Sequence, residues 1–164
     1  MPKTLVIVVD RDNDVGVKAG IITPVVGRDN VLKAANQVLL ADPEEADGNA
    51  MMGAIKVYNQ LKAEGEDVEI ALIAGSEESG IKADTRIRNQ VASLKERLKF
   101  EEVILVSDGV EDEEVLPIIY GFSTVRSLVR VVVKHSKNIE ESYIILGKYI
   151  RMALYDSRYS KYFL

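Results

Sequence analysis

Four aspartates stand where a folded chain could use them together: Asp10, Asp12 and Asp14 within five residues, and Asp108 far downstream. Each group follows an apolar run. Leu5-Val6-Ile7-Val8-Val9 leads into Asp10, and Val103-Ile104-Leu105-Val106 leads through Ser107 into Asp108. Short, β-branched runs ended by a polar turn predict strands buried on both faces. Carboxylates this close repel one another, so they require solvent, a basic partner or a bound cation. Hard cations take carboxylate and water oxygens, and magnesium keeps several waters while bridging to a phosphate. The candidate metal ligands are therefore Asp10, Asp12, Asp14 and Asp108, with Mg2+ or Mn2+ as the expected ion.

The composition narrows the remaining chemistry. The 164 residues contain no cysteine and one histidine, which removes disulfides, thiol nucleophiles, thiolate zinc and multi-histidine metal sites within one chain. A net charge of −5, from 21 basic and 26 acidic residues, disfavours broad nucleic-acid binding. Hydrophobic residues make up 47% and charged residues 29%, as in ordinary globular domains. Met1-Pro2-Lys3 passes straight into the first apolar run with no signal-peptide pattern. No apolar run reaches the roughly 20 residues of a membrane span, and the expected location is the cytoplasm.

The rest of the chain alternates strand and helix patterns. After the strand over 5–9, a connection over about 11–28 carries Gly16, Gly20 and Gly27, and Pro24 forbids one continuous helix through it. Structureless connections of that length are often functional. Helices are predicted over 30–41, after Asp29 as cap, and over 48–64, with Asp42-Pro43 between them. A second strand covers 68–74, a helix 83–99 and the third strand 103–106. A helix over 111–120 follows, whose first-turn acids Glu111, Asp112, Glu113 and Glu114 suit the helix dipole. The fourth strand is expected over 128–133 and a last helix over 138–155. This pattern predicts a three-layer, Rossmann-like α/β sandwich on a mostly parallel four-stranded sheet in the order 2-1-3-4. One domain over 1–155 is expected, with a tyrosine-rich tail over 156–164.

In such sheets ligands bind beyond the carboxyl ends of the strands, where strand order reverses. With that order Asp10 and Asp108 share one crevice with Ser107 beside them, and Lys134 and His135 arrive from the fourth strand. Lys134 and Arg28 are the candidate contacts for an anion, and Ser107 the third candidate ligand-binding residue. His135 has no carboxylate near it in sequence to orient it and reads as structural. The spacing from Asp10 to Gly16 does not make a calcium loop. Its glycine comes seventh rather than sixth, and Ile21 stands where the twelfth-position acid belongs. The pattern is also similar to receiver, Toprim and haloacid dehalogenase-like domains, but Asn13, Asp14 and Gly109-Val110 depart from what those groups place after their acids.

The chain resembles an archaeal family, the domain-of-unknown-function family 373. The resemblance rests on Val8 to Gly16, Pro24 to Arg28, Ala41 to Glu44, Ala50 to Tyr58, Ile73-Ala74-Gly75, Val106 to Asp112 and Val131 to Ser136. Asn13 and His135 stand where other members carry an acid and Gln. The resemblance implies no settled activity. It implies membrane association through helices following the soluble region, with this chain on the cytoplasmic face.

Three functional expectations follow. The first is a regulatory domain whose cation site holds a phosphorylated small molecule or nucleotide. The second is a metal-dependent phosphoesterase or phosphotransferase at the same site. The third is a homodimeric assembly module, paired through its C-terminal helix, whose acids are merely solvated.

Overall fold

The computed structural model describes residues 2–78 and 80–131. The first strand, β1 (Thr4–Asp10), is buried at every position, because parallel neighbours flank it on both sides. It pairs with β3 (Val68–Ala74), Asp10 level with Ala74, and with β4 (Glu102–Ser107), Val8 level with Val106. Alternate side chains of β1 enter two separate cores. Val6 and Val8 pack beneath α2 (Arg28–Ala41) and α3 (Ala46–Ala63), with Val38, Met51 and Ala54 among their neighbours. Leu5, Ile7 and Val9 join Ile87, Val91 and Leu94 of α4 (Gly80–Leu98) on the other face. Helices on both faces of a largely parallel sheet give the expected three layers.

Among the described residues the sheet has five strands, in the order β2-β3-β1-β4-β5, which corrects the expected count of four. The addition is β2 (Val25–Val26), antiparallel to β3 at the edge. The four parallel strands, ending with β5 (Thr124–Arg130), keep the relative order expected for them. The chain leaves β1 for β3 on one side and then crosses to β4 on the other, so strand order reverses at β1.

The connection over 11–28 is not structureless. It contains α1 (Asp14–Ala19) as well as β2. Gly20 ends α1 at φ 68°, a left-handed conformation that glycine adopts without steric cost, and its N–H closes on the Gly16 carbonyl at 3.0 Å. The helix expected over 111–120 is two short ones, α5 (Val110–Glu113) and α6 (Leu116–Tyr120). Pro117 explains the break, since it has no N–H to bond the carbonyl four residues back, while in the first turn of α6 that N–H is not needed. β5 begins earlier than expected because it is an edge strand with mostly exposed positions, and Arg126 and Ser127 interrupt its apolar pattern. The expected helix over 138–155, the tail, Lys134 and His135 lie outside the described residues.

Candidate functional site

Asp10 stands at the end of β1, 2% exposed, where one carboxylate oxygen accepts the Val15 N–H of α1 at 2.8 Å. The turn behind it is tight. Gly75 donates its N–H to the Asp10 carbonyl at 2.9 Å, and a Cβ on Gly75 would sit 2.1 Å from the Arg11 carbonyl oxygen. Across the switch point, Ser107 is fully buried. Its hydroxyl donates to the Gly109 carbonyl at 2.6 Å and accepts the Gly109 N–H at 3.0 Å. That closed turn turns Asp108 toward Asp10. One turn later Asp112, in α5, is 6% exposed and accepts the Arg11 N–H at 3.3 Å.

A third element completes the site. Glu45 caps α3, and Asp47 lies in the first turn of that helix, 4% exposed. Glu45 is paired with Lys18, which also reaches Asp42 at 3.5 Å. Asp10, Asp12, Asp14, Glu45, Asp47, Asp108 and Asp112 together line a cavity of about 290 Å³, with Ala46 and Gly109 as its remaining lining residues. Seven carboxyl groups therefore face one space that no lysine or arginine of the described residues lines.

The electrostatics follow from that imbalance. Burial pushes the Asp10 carboxyl up to about 6, with the Asp14 charge adding to it and the Val15 N–H opposing it. Asp47 is pushed up to about 12, by burial first and then by the charges of Asp10 and Asp108. Asp112 rises to about 9 through burial and its contact with Asp108. Asp14 is also raised, by burial and by Glu45, with Lys18 opposing. Within the cavity two trios have carboxylate oxygens all within 4.8 Å of one another: Asp10, Asp14 and Asp47, and Asp47, Asp108 and Asp112. Oxygen sets of this kind suit a hard divalent cation.

Of the residues singled out in the sequence, Asp10, Asp12, Asp14 and Asp108 do come together. Asp12 is exposed at the rim and belongs to neither trio. Arg28 is elsewhere. Gly27 donates to the Ile70 carbonyl, and Ile70 is level with Val6, four residues and about 13 Å below Asp10 along the sheet. There the Arg28 guanidinium bonds Asn59 at 3.0 Å and Asp29 at 3.0 Å. Ser107 does not line the cavity, because its hydroxyl is spent on the turn. Sequence reasoning missed Glu45, Asp47 and Asp112. The acids at 44, 45 and 47 ahead of a helix were the available signal for the first two.

The fold and the pocket define a Rossmann-like α/β domain with a carboxylate-lined cavity at its switch point. The chain belongs to the family described as a domain of unknown function, DUF373, whose profile matches residues 3–164. It is 47% identical over 148 residues to an uncharacterized protein of Archaeoglobus fulgidus, covering 90% of this chain and 43% of that protein. It is 40% identical over 151 residues to an uncharacterized protein of Methanocaldococcus jannaschii, covering 92% and 41% respectively. The chain thus spans about two fifths of the length of these relatives. No solved structure matches. Among the described residues no helix is long and apolar enough to cross a membrane.

Proposed function

We propose that the pocket holds a divalent cation, Mg2+ or Mn2+, and that the cation holds the phosphoryl group of a small molecule or nucleotide, making this a ligand-binding regulatory domain. The observation that carries the reading is the convergence of seven carboxyl groups, three of them under 7% exposed, on a cavity with no basic lining residue among those described. A chain that needed these acids only for solvation would leave them at the surface. Burying Asp10, Asp47 and Asp112 together is costly unless positive charge arrives from outside. Asp10, Asp14, Asp47, Asp108 and Asp112 are the inner-sphere candidates, and Asp12 at the rim fits a contact through a metal-bound water.

The size of the cavity limits the ligand. At about 290 Å³ it sits at the small end of ligand pockets, which run from about 300 to 1,000 Å³. It has room for an ion and a phosphoryl group, while the rest of a nucleotide would lie outside. Calorimetric titration of Mn2+, alone and with a nucleotide panel, tests this reading against Asp10→Asn. Binding by the wild type that the variant loses supports the reading, and silence from the folded wild type contradicts it. Turnover of the bound ligand would make the same site a metal-dependent phosphoesterase.

A further inference from the structure

We propose that a second cavity, of about 690 Å³ beside the exit of β3, binds a phosphate group, as the free ion or on a small phosphate monoester. Its lining is Ser76, from the turn after β3, with Ile81, Lys82, Thr85, Arg86 and Asn89 of α4. Those five α4 positions form one stripe at helical spacing, away from the Ile87, Val91 and Leu94 stripe that the helix buries. The volume lies in the ordinary range of small-ligand pockets. The cavity shares no lining residue with the carboxylate pocket, and among the described residues no acid lines it. Its charge is also the reverse of the chain's. α4 carries five basic residues against two acids, in a protein whose net charge is −5.

Arg86 is the residue that points to an anion. It is half-buried, and its guanidinium donates to the Gly75 carbonyl at 3.0 Å, which anchors it beside Ser76. That bond occupies only part of the fork. The other half-buried arginines, Arg11 and Arg28, each hold a carboxylate, at 3.3 Å from Asp84 and 3.0 Å from Asp29. Arg86 holds none among the described residues. A guanidinium fork matches the oxygens of a phosphate or a carboxylate, and the neighbouring side chains favour the phosphate. The Ser76 hydroxyl accepts the Glu78 N–H at 3.1 Å and keeps its own hydrogen to donate. Asn89 offers an exposed amide. Lys82, shared with Glu78 at 2.6 Å, adds positive charge. The arginine fork alone satisfies a carboxylate, whereas a phosphate brings further oxygens and more charge for these donors.

The test is heteronuclear NMR of the isotope-labelled 164-residue chain in EDTA, titrated in turn with inorganic phosphate, glycerol phosphate and acetate at constant ionic strength. Inorganic phosphate should shift the Ser76, Arg86 and Asn89 amides saturably and leave those of Asp10, Asp47 and Asp108 in place. Arg86→Gln should weaken that binding by about tenfold or more, as the loss of a charge-assisted contact does. Tighter binding of glycerol phosphate assigns the site to monoesters, and equal binding assigns it to the free ion. No saturable shift with either phosphate, acetate binding as tight as phosphate, or binding unchanged in Arg86→Gln overturns the inference. Asn89→Asp puts a carboxylate into the lining at an exposed position and should also weaken phosphate binding. It keeps the inference falsifiable if Arg86→Gln does not fold. With EDTA present, failure here leaves the cation reading standing, and failure of the Mn2+ titration leaves this site standing.

Discussion

Two regions of this domain gather acids, and they treat them oppositely. Along the β4–β5 side Glu66, Glu102 and Glu113 each meet an arginine. Arg126 reaches Glu66 at 2.6 Å and Glu102 at 3.4 Å, and Arg130 grips Glu113 at 2.6 Å. Those contacts hold the Glu66 and Glu113 carboxyls below the usual range. In the pocket at the carboxyl end of β1, Asp10, Asp47 and Asp112 are more deeply buried and all are raised. Arg11 leaves the turn beside the pocket but directs its guanidinium to Asp84 and Glu114, outside the lining. Along β4–β5 each of these acids has an arginine. In the pocket Glu45 has Lys18, whereas Asp10, Asp47 and Asp112 have no basic partner among the described residues, and that difference is the reason to assign the compensating charge to a ligand.

The sharpest way to break the comparison is Asp47→Asn in EDTA. At pH 7 an unfolded aspartate is ionised, while the folded Asp47 carboxyl, pushed up to about 12, holds its proton. The native state therefore carries a penalty of up to about 4 kcal/mol, at about 1.4 kcal/mol per unit over roughly three units. The amide removes that penalty and can donate to its neighbours. Chemical denaturation should show the metal-free variant to be more stable than the wild type. A less stable, folded variant would mean that Asp47 serves the fold rather than a cation.

The pH dependence is the next largest effect. An acid whose pKa is raised on folding binds its proton more tightly in the native state, so stability falls as pH rises above the unfolded value near 3.8. Asp10 should contribute to that fall up to about pH 6, Asp112 to about 9, and Asp47 beyond. Denaturation in EDTA from pH 5 to 9 should trace the decline, and saturating Mn2+ should flatten it.

Smaller effects test the borders of the two regions. Asp12→Asn should weaken Mn2+ binding by less than about tenfold, the low end of what contacts beyond the metal's direct ligands contribute. Calorimetry of the variant checks this, and complete loss of binding would move Asp12 into the inner sphere. Arg126→Gln should lower stability slightly and leave Mn2+ binding unchanged, since exposed ion pairs contribute little. A change in metal affinity there would join two regions that the structure keeps apart.

The legible part of this molecule was what depends on buried apolar runs. Leu5 to Val9 and Val103 to Val106 give two strands bounded nearly as expected, and so Asp10 and Asp108 fall at one end of the sheet. β2 was not legible, because two residues paired with Leu72 and Ala71 carry no periodic signal. That same pairing moved Arg28 away from the acids, down to the level of Asn59. Asp112 was hidden by ambiguity, since an acid in the first turn of a helix is explained equally well by the helix dipole, and Asp47 was hidden because the helix expected from 48 begins at Ala46. Only the convergence of α3 and α5 on β1 separates the two roles.

The most direct test of the central claim, that this pocket is built around positive charge from outside the chain, is thermal unfolding of the wild type at pH 7.5 in EDTA and in excess Mn2+. A ligand that binds only the folded state raises its stability, so the account predicts a clear rise in Tm with Mn2+ that Asp47→Asn does not show. Equal Tm in the two conditions, for a protein folded in both, would contradict it.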